Sequence, residues 1–295
     1  MTDPTFGPEW SAAHRRGSNR ELRGWMDLAL RCCDEADRIA RRHFGGHLEI
    51  DRKSDGTLVT QADQAIERVL RERILAAYPA HGLVGEEYGE EAAGASVRWY
   101  LDPIDGTHNY VRGVPIFATL IAVERDGEVQ VGVASAPALG QRWFAWRGGG
   151  AWTAQIAPDH VARPAREPTS GSRPRPRRLH ASVIADLARA SIVHGSLGEI
   201  IRAGFWDPLA GLIERAWRDR GFGDFWGHTL VAEGKAEAMI EVGLQPWDIA
   251  ALLVLVEEAG GRLTDAGGGR GVHLAEVVTS NGHLHRELLE VLARR

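Results

Sequence analysis

The chain has 295 residues, 44% hydrophobic and 25% charged, which suits one large globular domain or two lobes sharing a core. Its 35 basic and 40 acidic side chains leave a formal net charge of −5, so no global basic surface draws it to nucleic acid. The longest apolar run, Ile249–Val256, is far short of a membrane span. The N-terminal MTDPTFGPEWSAAHRRGSNR lacks the apolar core of a signal peptide, so a cytoplasmic protein is expected. Cys32 and Cys33 are adjacent and give no disulfide framework.

Residues 1–20 read as a polar tail. Glu21–Phe44 carries Leu22, Met26, Leu28, Leu30, Ala36 and Ile39 at helical spacing and predicts a long helix. The extended HLEI and the turn-rich KSDGTLVTQAD follow, then a second amphipathic helix over Ala62–Ala77. GLVGEEYGEE reads as a strand and loop, and VRWYL as a strand. FATLIAVERDGEVQVGVASAP predicts two long strands joined at Arg125-Asp126-Gly127, a hairpin signal. QRWFAWRGGGAW predicts a third strand. Residues 163–178 hold six arginines and four prolines, an extended loop or linker. Without interleaved aromatics they do not read as a nucleic-acid surface. This break divides an N-terminal lobe, 21–155, from a C-terminal lobe, 186–295, across a linker at 156–185.

The second lobe alternates strands and helices. SIVHGS is a strand, Asp207–Trp217 a helix, and FWGHTLVAEGKA a helix ending near Gly234. AMIEVG is a strand. Pro246–Ala259 is a helix apolar almost all round, which predicts burial. VVTSNG is a strand and His283–Ala293 a closing helix. Alternation in both lobes predicts a layered α/β or α+β sandwich.

Asp102 and Asp105 flank Pro103-Ile104. Pro103 has no N–H and a fixed φ, so a strand is expected to end in a rigid turn just after Asp102. Both carboxylates then project from the sheet with the Ile104 carbonyl between them, oxygen ligands of the kind Mg²⁺ takes. Gly106-Thr107 start a helical turn whose N–H groups suit a phosphate. The same residues also suit an ordinary strand-to-turn motif. Glu86-Glu87 follow a short strand, where acids commonly face solvent. Asp63 and Asp248 each fall in the first turn of a helix, where capping alone explains them. The set is more informative than its members. Asp63, Glu86, Asp102, Asp105 and Asp248 all fall at strand ends or helix starts, which border the ligand crevice in α/β folds. Converging there, they need cations to offset their repulsion, and two or three Mg²⁺ ions serving phosphoryl transfer make sense of them.

With GEE at 85–87, DPIDGT at 102–107 and PWD at 246–248, the sequence resembles the inositol monophosphatase superfamily of Mg²⁺-dependent, lithium-sensitive phosphatases. LVTQAD at 58–63 and EAGGRLTD at 258–265 are similar to its flanking segments. The resemblance spans Leu22 to Leu292. It implies a stacked α-β-α-β-α sandwich. It implies metal ligands at Glu86, Asp102, the Ile104 carbonyl, Asp105 and Asp248. Asp63 and Thr107 match the pair that orients the nucleophilic water, with Glu86 beside them. Gly106 and Thr107 amides match the phosphate cradle, and Glu241 a substrate-hydroxyl contact. The implied reaction is direct in-line attack of a metal-activated water on a small phosphate monoester, without a phosphoenzyme. A homodimer is also implied, with FATLIAV a contributor.

Three stretches resemble the actinobacterial type of histidinol-phosphate phosphatase more than inositol phosphatases: NYVRGVPIFATLIAV, VGVASAPALGQRWFAWRGGGAW and RGFGDFWGHTLVAEGKAE. Asp224 stands where inositol phosphatases carry a small or hydroxyl residue. A second acid beside Glu241 suits the ammonium and imidazole of histidinol phosphate. Asp224 as a helix cap is the alternative. Inositol phosphate or another small sugar or nucleotide phosphate is the rival substrate. A non-catalytic metal- or phosphate-binding regulator on the same fold is the non-enzyme alternative. The Arg/Pro-rich insert, His108 and Tyr110 depart from the family pattern. Of the ten tryptophans, which include Trp143, Trp146, Trp152 and Trp226, most are expected in packing, with one as a candidate wall of the substrate pocket.

Overall fold

The computed structural model describes residues 20–46, 48–53, 57–156 and 175–293. The first helix, α1 (Arg20–His43), buries Trp25, Met26, Ala29, Cys33, Ala36 and Ala40 along one face. Strands β1 (Ile50–Arg52) and β2 (Leu58–Thr60) lead into α2 (Gln61–Ala77), which Thr60 and Asp63 open with a capping box. Then come β3 (Gly82–Gly85), β4 (Gly89–Glu91), β5 (Val97–Asp105), the short helix α3 (Thr107–Val111), β6 (Ala118–Arg125), β7 (Glu128–Ala136), β8 (Gln141–Trp146), β9 (Gly150–Gln155) and β10 (Arg177–Arg178). Strands β3 to β10 form an eight-stranded sheet in the order β10-β9-β8-β7-β6-β5-β3-β4.

The rest of the chain supplies β11 (Ser191–His194), α4 (Leu197–Arg202), α5 (Trp206–Arg215), β12 (Arg218–Arg220), α6 (Asp224–Ala232), β13 (Ala238–Val242), α7 (Pro246–Glu258), β14 (Arg262–Thr264), β15 (Glu276–Ser280) and α8 (His285–Leu292). Its strands form a five-stranded sheet, β12-β11-β13-β15-β14.

Side-chain alternation along the strands sets the layers. Trp99, Leu101, Ile121 and Val133 face α1 and α2. Tyr100, Leu120, Ala122 and Ala134 face α7 instead. Val193 and Met239 of the second sheet pack with Val231 of α6, while Ile192, Ile240 and Val278 pack against α4, α5 and α8. The stack is therefore α1/α2, large sheet, α6/α7, small sheet, α4/α5/α8, the α-β-α-β-α sandwich that was expected. The continuous apolar run of α7 is explained by its place between two sheets, with Ile249–Val256 buried throughout. The contact is tight at Gly132 of β7, where a Cβ would stand 2.5 Å from the Ala251 carbonyl oxygen. Gly132→Ala is expected to lower stability by about 2 kcal/mol through overpacking, read as a lower urea midpoint at unchanged slope.

Several expectations need correction. β5 does not end after Asp102; it runs through Pro103 to Asp105. QRWFAWRGGGAW is two strands, β8 and β9, because Gly149 folds under the Trp146 ring. FATLIAV cannot serve a dimer contact, since β6 lies between β5 and β7 with Ala118–Glu124 buried within the chain. Helix α4 and strand β12 leave no periodic signal in the sequence. The hairpin at Asp126-Gly127 forms as expected, with φ of 53° and 82°. Residues 1–19 and 157–174, which include most of the predicted tail and Arg/Pro-rich stretch, lie outside the described residues. Among the described residues, no helix is long and apolar enough to cross a membrane.

Candidate active site

The DPID stretch carries one extra residue relative to its neighbour. Asp102 pairs with Leu120 and Asp105 with Ala118, so three steps on β5 match two on β6. In a regular strand, residues three apart face opposite sides. The bulge reverses that parity. Ile104 turns into the α1/α2 core, and Asp105 joins Asp102 on the other side. Pro103 fits here because a bulge residue needs no ladder N–H, and its carbonyl accepts a 2.7 Å bond from Thr119.

Asp248 arrives from the first turn of α7. Pro246 starts that helix, and Asp248 Oδ2 accepts the Gln245 N–H at 2.7 Å. One side chain thus caps the helix and joins the carboxylate cluster. Asp102, Asp105 and Asp248 place carboxylate oxygens within 4.8 Å of one another. Burial first, then Glu86, Asp105 and Asp248, holds the Asp102 carboxyl well above the usual range. Burial, then Asp224 and Asp248, does the same to Asp105. Burial also pushes Asp248 up to about 7.

Asp63 is fully buried, and its Oδ2 accepts from the Thr60 N–H and hydroxyl at 2.8 and 2.5 Å. Burial pushes its carboxyl up to about 6. Its expected partner Thr107 does not bond to it; the Thr107 hydroxyl donates to the Ile104 carbonyl at 3.0 Å. Glu86 lies in the β3–β4 turn and is one of the charges acting on Asp102, Asp63 and Asp248. It stands outside the tight triad, paired at 2.8 Å with Lys53, which also holds Glu87 at 2.8 Å. The turn is anchored by buried Glu67, which accepts the N–H groups of Glu87 and Tyr88.

A second acidic pair adjoins the first. Phe225 N–H donates to Asp105 Oδ2 at 2.7 Å, which brings the start of α6 onto the triad. Asp224 Oδ2 accepts from Asn109 Nδ2 at 3.2 Å, and the Asp224 N–H donates to Glu241 Oε1 at 3.0 Å. Burial, then Glu241 and Glu199, pushes the Asp224 carboxyl up to about 7. Asp224 is the first residue of α6, and the N-cap position belongs to Gly223, which has no side chain to offer. Gly106 turns the chain between the two acidic groups with φ of 82°; a Cβ there would lie 3.0 Å from the Ile116 carbonyl. His108 is exposed. Trp143, Trp146 and Trp152 are buried in packing.

The donor set fits a hard cation. Asp63 Oδ1 and Asp102 Oδ1 are buried without a hydrogen-bond partner among the described residues. Such an atom costs ~1–3 kcal/mol or more unless something positive meets it. The donors are all oxygen, as Mg²⁺ requires. Lys53, Glu67, Asn109, Glu199 and His228 escaped the sequence reading. Each acts through a partner distant in the chain or sits in a segment without a motif, so spacing carried no signal for them.

The chain is 43% identical over 263 residues to a histidinol-phosphatase of Mycobacterium tuberculosis, covering 89% of this chain and 95% of that one. It is 40% identical to a histidinol-phosphatase of Streptomyces coelicolor, covering 92% and 97%. The crystal structure of the extragenic suppressor protein SuhB of Bartonella henselae superposes with a TM-score of 0.79 at 27% identity, covering 92% and 99%. Residues 22–295 match the model of the inositol monophosphatase family, and the chain belongs to that family.

Proposed function

We propose that the protein is a Mg²⁺-dependent phosphomonoesterase that hydrolyses histidinol phosphate to histidinol and phosphate. The observation that carries the reading is the contact between two acidic groups: a recessed carboxylate triad and, beside it, the Asp224–Glu241 pair. The first suits cations and a phosphate; the second suits a cationic alcohol.

In this reading Glu86, Asp102, the Ile104 carbonyl, Asp105 and Asp248 hold two or three Mg²⁺ ions. Bound there, Mg²⁺ supplies acidification of water and neutralisation of phosphoryl charge. The Gly106 and Thr107 N–H groups, with the Thr107 hydroxyl, orient the phosphate and the attacking water. Asp63, with its Oδ1 uncommitted, accepts the proton that the water gives up. The water oxygen forms the new P–O bond as the ester P–O bond breaks, and the departing alcohol oxygen takes a proton from solvent. Asp224 and Glu241 pair with the ammonium and imidazole of the alcohol. Inhibition by Li⁺ and a homodimer built on a surface other than β6 belong to the same proposal.

Phosphate release from histidinol phosphate beside inositol 1-phosphate tests it. Histidinol phosphate is expected to have the higher kcat/KM by about tenfold or more, the worth of a matched polar contact. Comparable or better turnover of the inositol ester overturns the substrate. Silence on both, at saturating Mg²⁺, overturns the enzyme and favours a metal- or phosphate-binding regulator.

A further inference from the structure

Behind the Asp224–Glu241 pair lies a histidine that the reaction as described does not use. His228 is 1% exposed and falls one helical turn beyond Asp224 on α6. Its Nε2 is 3.0 Å from Glu241 Oε2, and its Nδ1 is 2.8 Å from Thr279 Oγ1. Glu241 and Met239 are on β13, and Thr279 pairs with Met239 from β15. Residues 239 and 241 share the sheet face that α6 covers, so one imidazole spans two strands beneath the helix. A carboxylate only accepts, so Nε2 carries the proton toward Glu241 and Thr279 fixes the other nitrogen.

The rest of the Glu241 surroundings leave it little freedom. Its Oε1 accepts the Asp224 N–H at 3.0 Å. Asp224 takes a φ of 50°, uncommon for a residue with a Cβ, at the point where its N–H is directed at that oxygen. Gly195 lies against the same oxygen, where a Cβ would come within 2.6 Å. We infer that His228 is a positioning residue that locks the Glu241 carboxylate toward the organic part of the substrate, and so sets substrate preference without touching substrate. The inference rests on Glu241 being a substrate contact, as proposed above.

Steady-state kinetics of His228→Leu, His228→Gln, Thr279→Val and Glu241→Gln test it, on histidinol phosphate and on p-nitrophenyl phosphate, which has no cationic alcohol. His228→Leu is expected to raise KM for histidinol phosphate about tenfold with kcat within about twofold. The loss of kcat/KM on p-nitrophenyl phosphate should be at least about fivefold smaller. His228→Gln, whose amide can still donate to Glu241, should recover most of the KM. Thr279→Val, which keeps the shape of the side chain, should move KM the same way by about twofold to threefold. Equal losses on both esters, or a Gln variant no better than Leu, overturn the inference. If the Leu variant does not fold, a wild-type KM in Thr279→Val overturns it. Unchanged KM in Glu241→Gln overturns the reading of Glu241 and the inference with it. A wild-type preference for inositol 1-phosphate overturns the substrate alone. The KM split is then expected on that ester, and its absence overturns the inference.

Discussion

Asp105→Asn is expected to reduce kcat by about a hundredfold or more, while the Mg²⁺-free protein melts at a higher temperature than wild type. The two effects have one cause. Asp105 is crowded by the charges of Asp224 and Asp248 as well as by burial. An amide removes that repulsion and keeps an oxygen for the Phe225 N–H, so the start of α6 stays in place. Each kcal/mol of relief is worth roughly 2–4 °C in a chain of this size class. The same amide lacks the charge that a cation needs, so the chemistry is lost. Turnover near wild type at saturating Mg²⁺ contradicts the assignment of Asp105 as a ligand. A fall in melting temperature shows instead that the carboxylate supports the fold.

In EDTA, the contribution of Asp63, Asp224 and Asp248 to stability is expected to fall between about pH 4 and pH 7 and then level off. Asp248 and Asp224 hold protons up to about 7 in the folded chain, and Asp63 up to about 6. The unfolded chain releases them near ~3.9. Across that window the folded state binds more protons than the unfolded one, so raising the pH favours unfolding. Below it both states are protonated, and above it both are ionised. Asp102 and Asp105 shift in the same direction. Binding of Mg²⁺ requires the ionised forms and must therefore release protons. Calorimetric titration in two buffers of different ionisation heat checks this. More protons are expected to be released at about pH 6.5 than at about pH 8.5, because Asp63, Asp224 and Asp248 are ionised at the higher pH. The absence of release at the lower pH means that the carboxylates are already ionised in the apoprotein. The difference in melting temperature between wild type and Asp248→Asn, followed over the same range, reports Asp248 together with its effect on Asp102 and Asp105.

What the sequence carried and what it did not separate along physical lines. Periodicity identified α1, α2 and α7, because each presents a long stretch to a core and burial writes its own pattern. Pro246 and Asp248 announced a helix start, and the same capping chemistry delivered a carboxylate to the site. Short elements such as α4 and β12 have too few residues to show a period. The split between β8 and β9 depended on Gly149 passing under Trp146, a contact that composition does not encode. In the sequence Pro103 signals a strand end because proline cannot donate to a ladder, whereas a bulge removes the need for that donor. Lys53, Glu67 and His228 act on residues 13 to 34 positions away, so their roles appear only once the chain is folded.

The bulge at Pro103 also bears on how such a protein can diversify. Both DPID carboxylates depend on one inserted residue, so losing or gaining a residue between 102 and 105 sends one of them into the α1/α2 core. Their geometry cannot drift by small steps. Asp224, Glu241 and His228 sit on elements free of that constraint and can change one side chain at a time. On the proposed assignment of these residues, reaction and substrate choice become separable heritable traits within one fold, the first held fixed by strand parity and the second open to single substitutions.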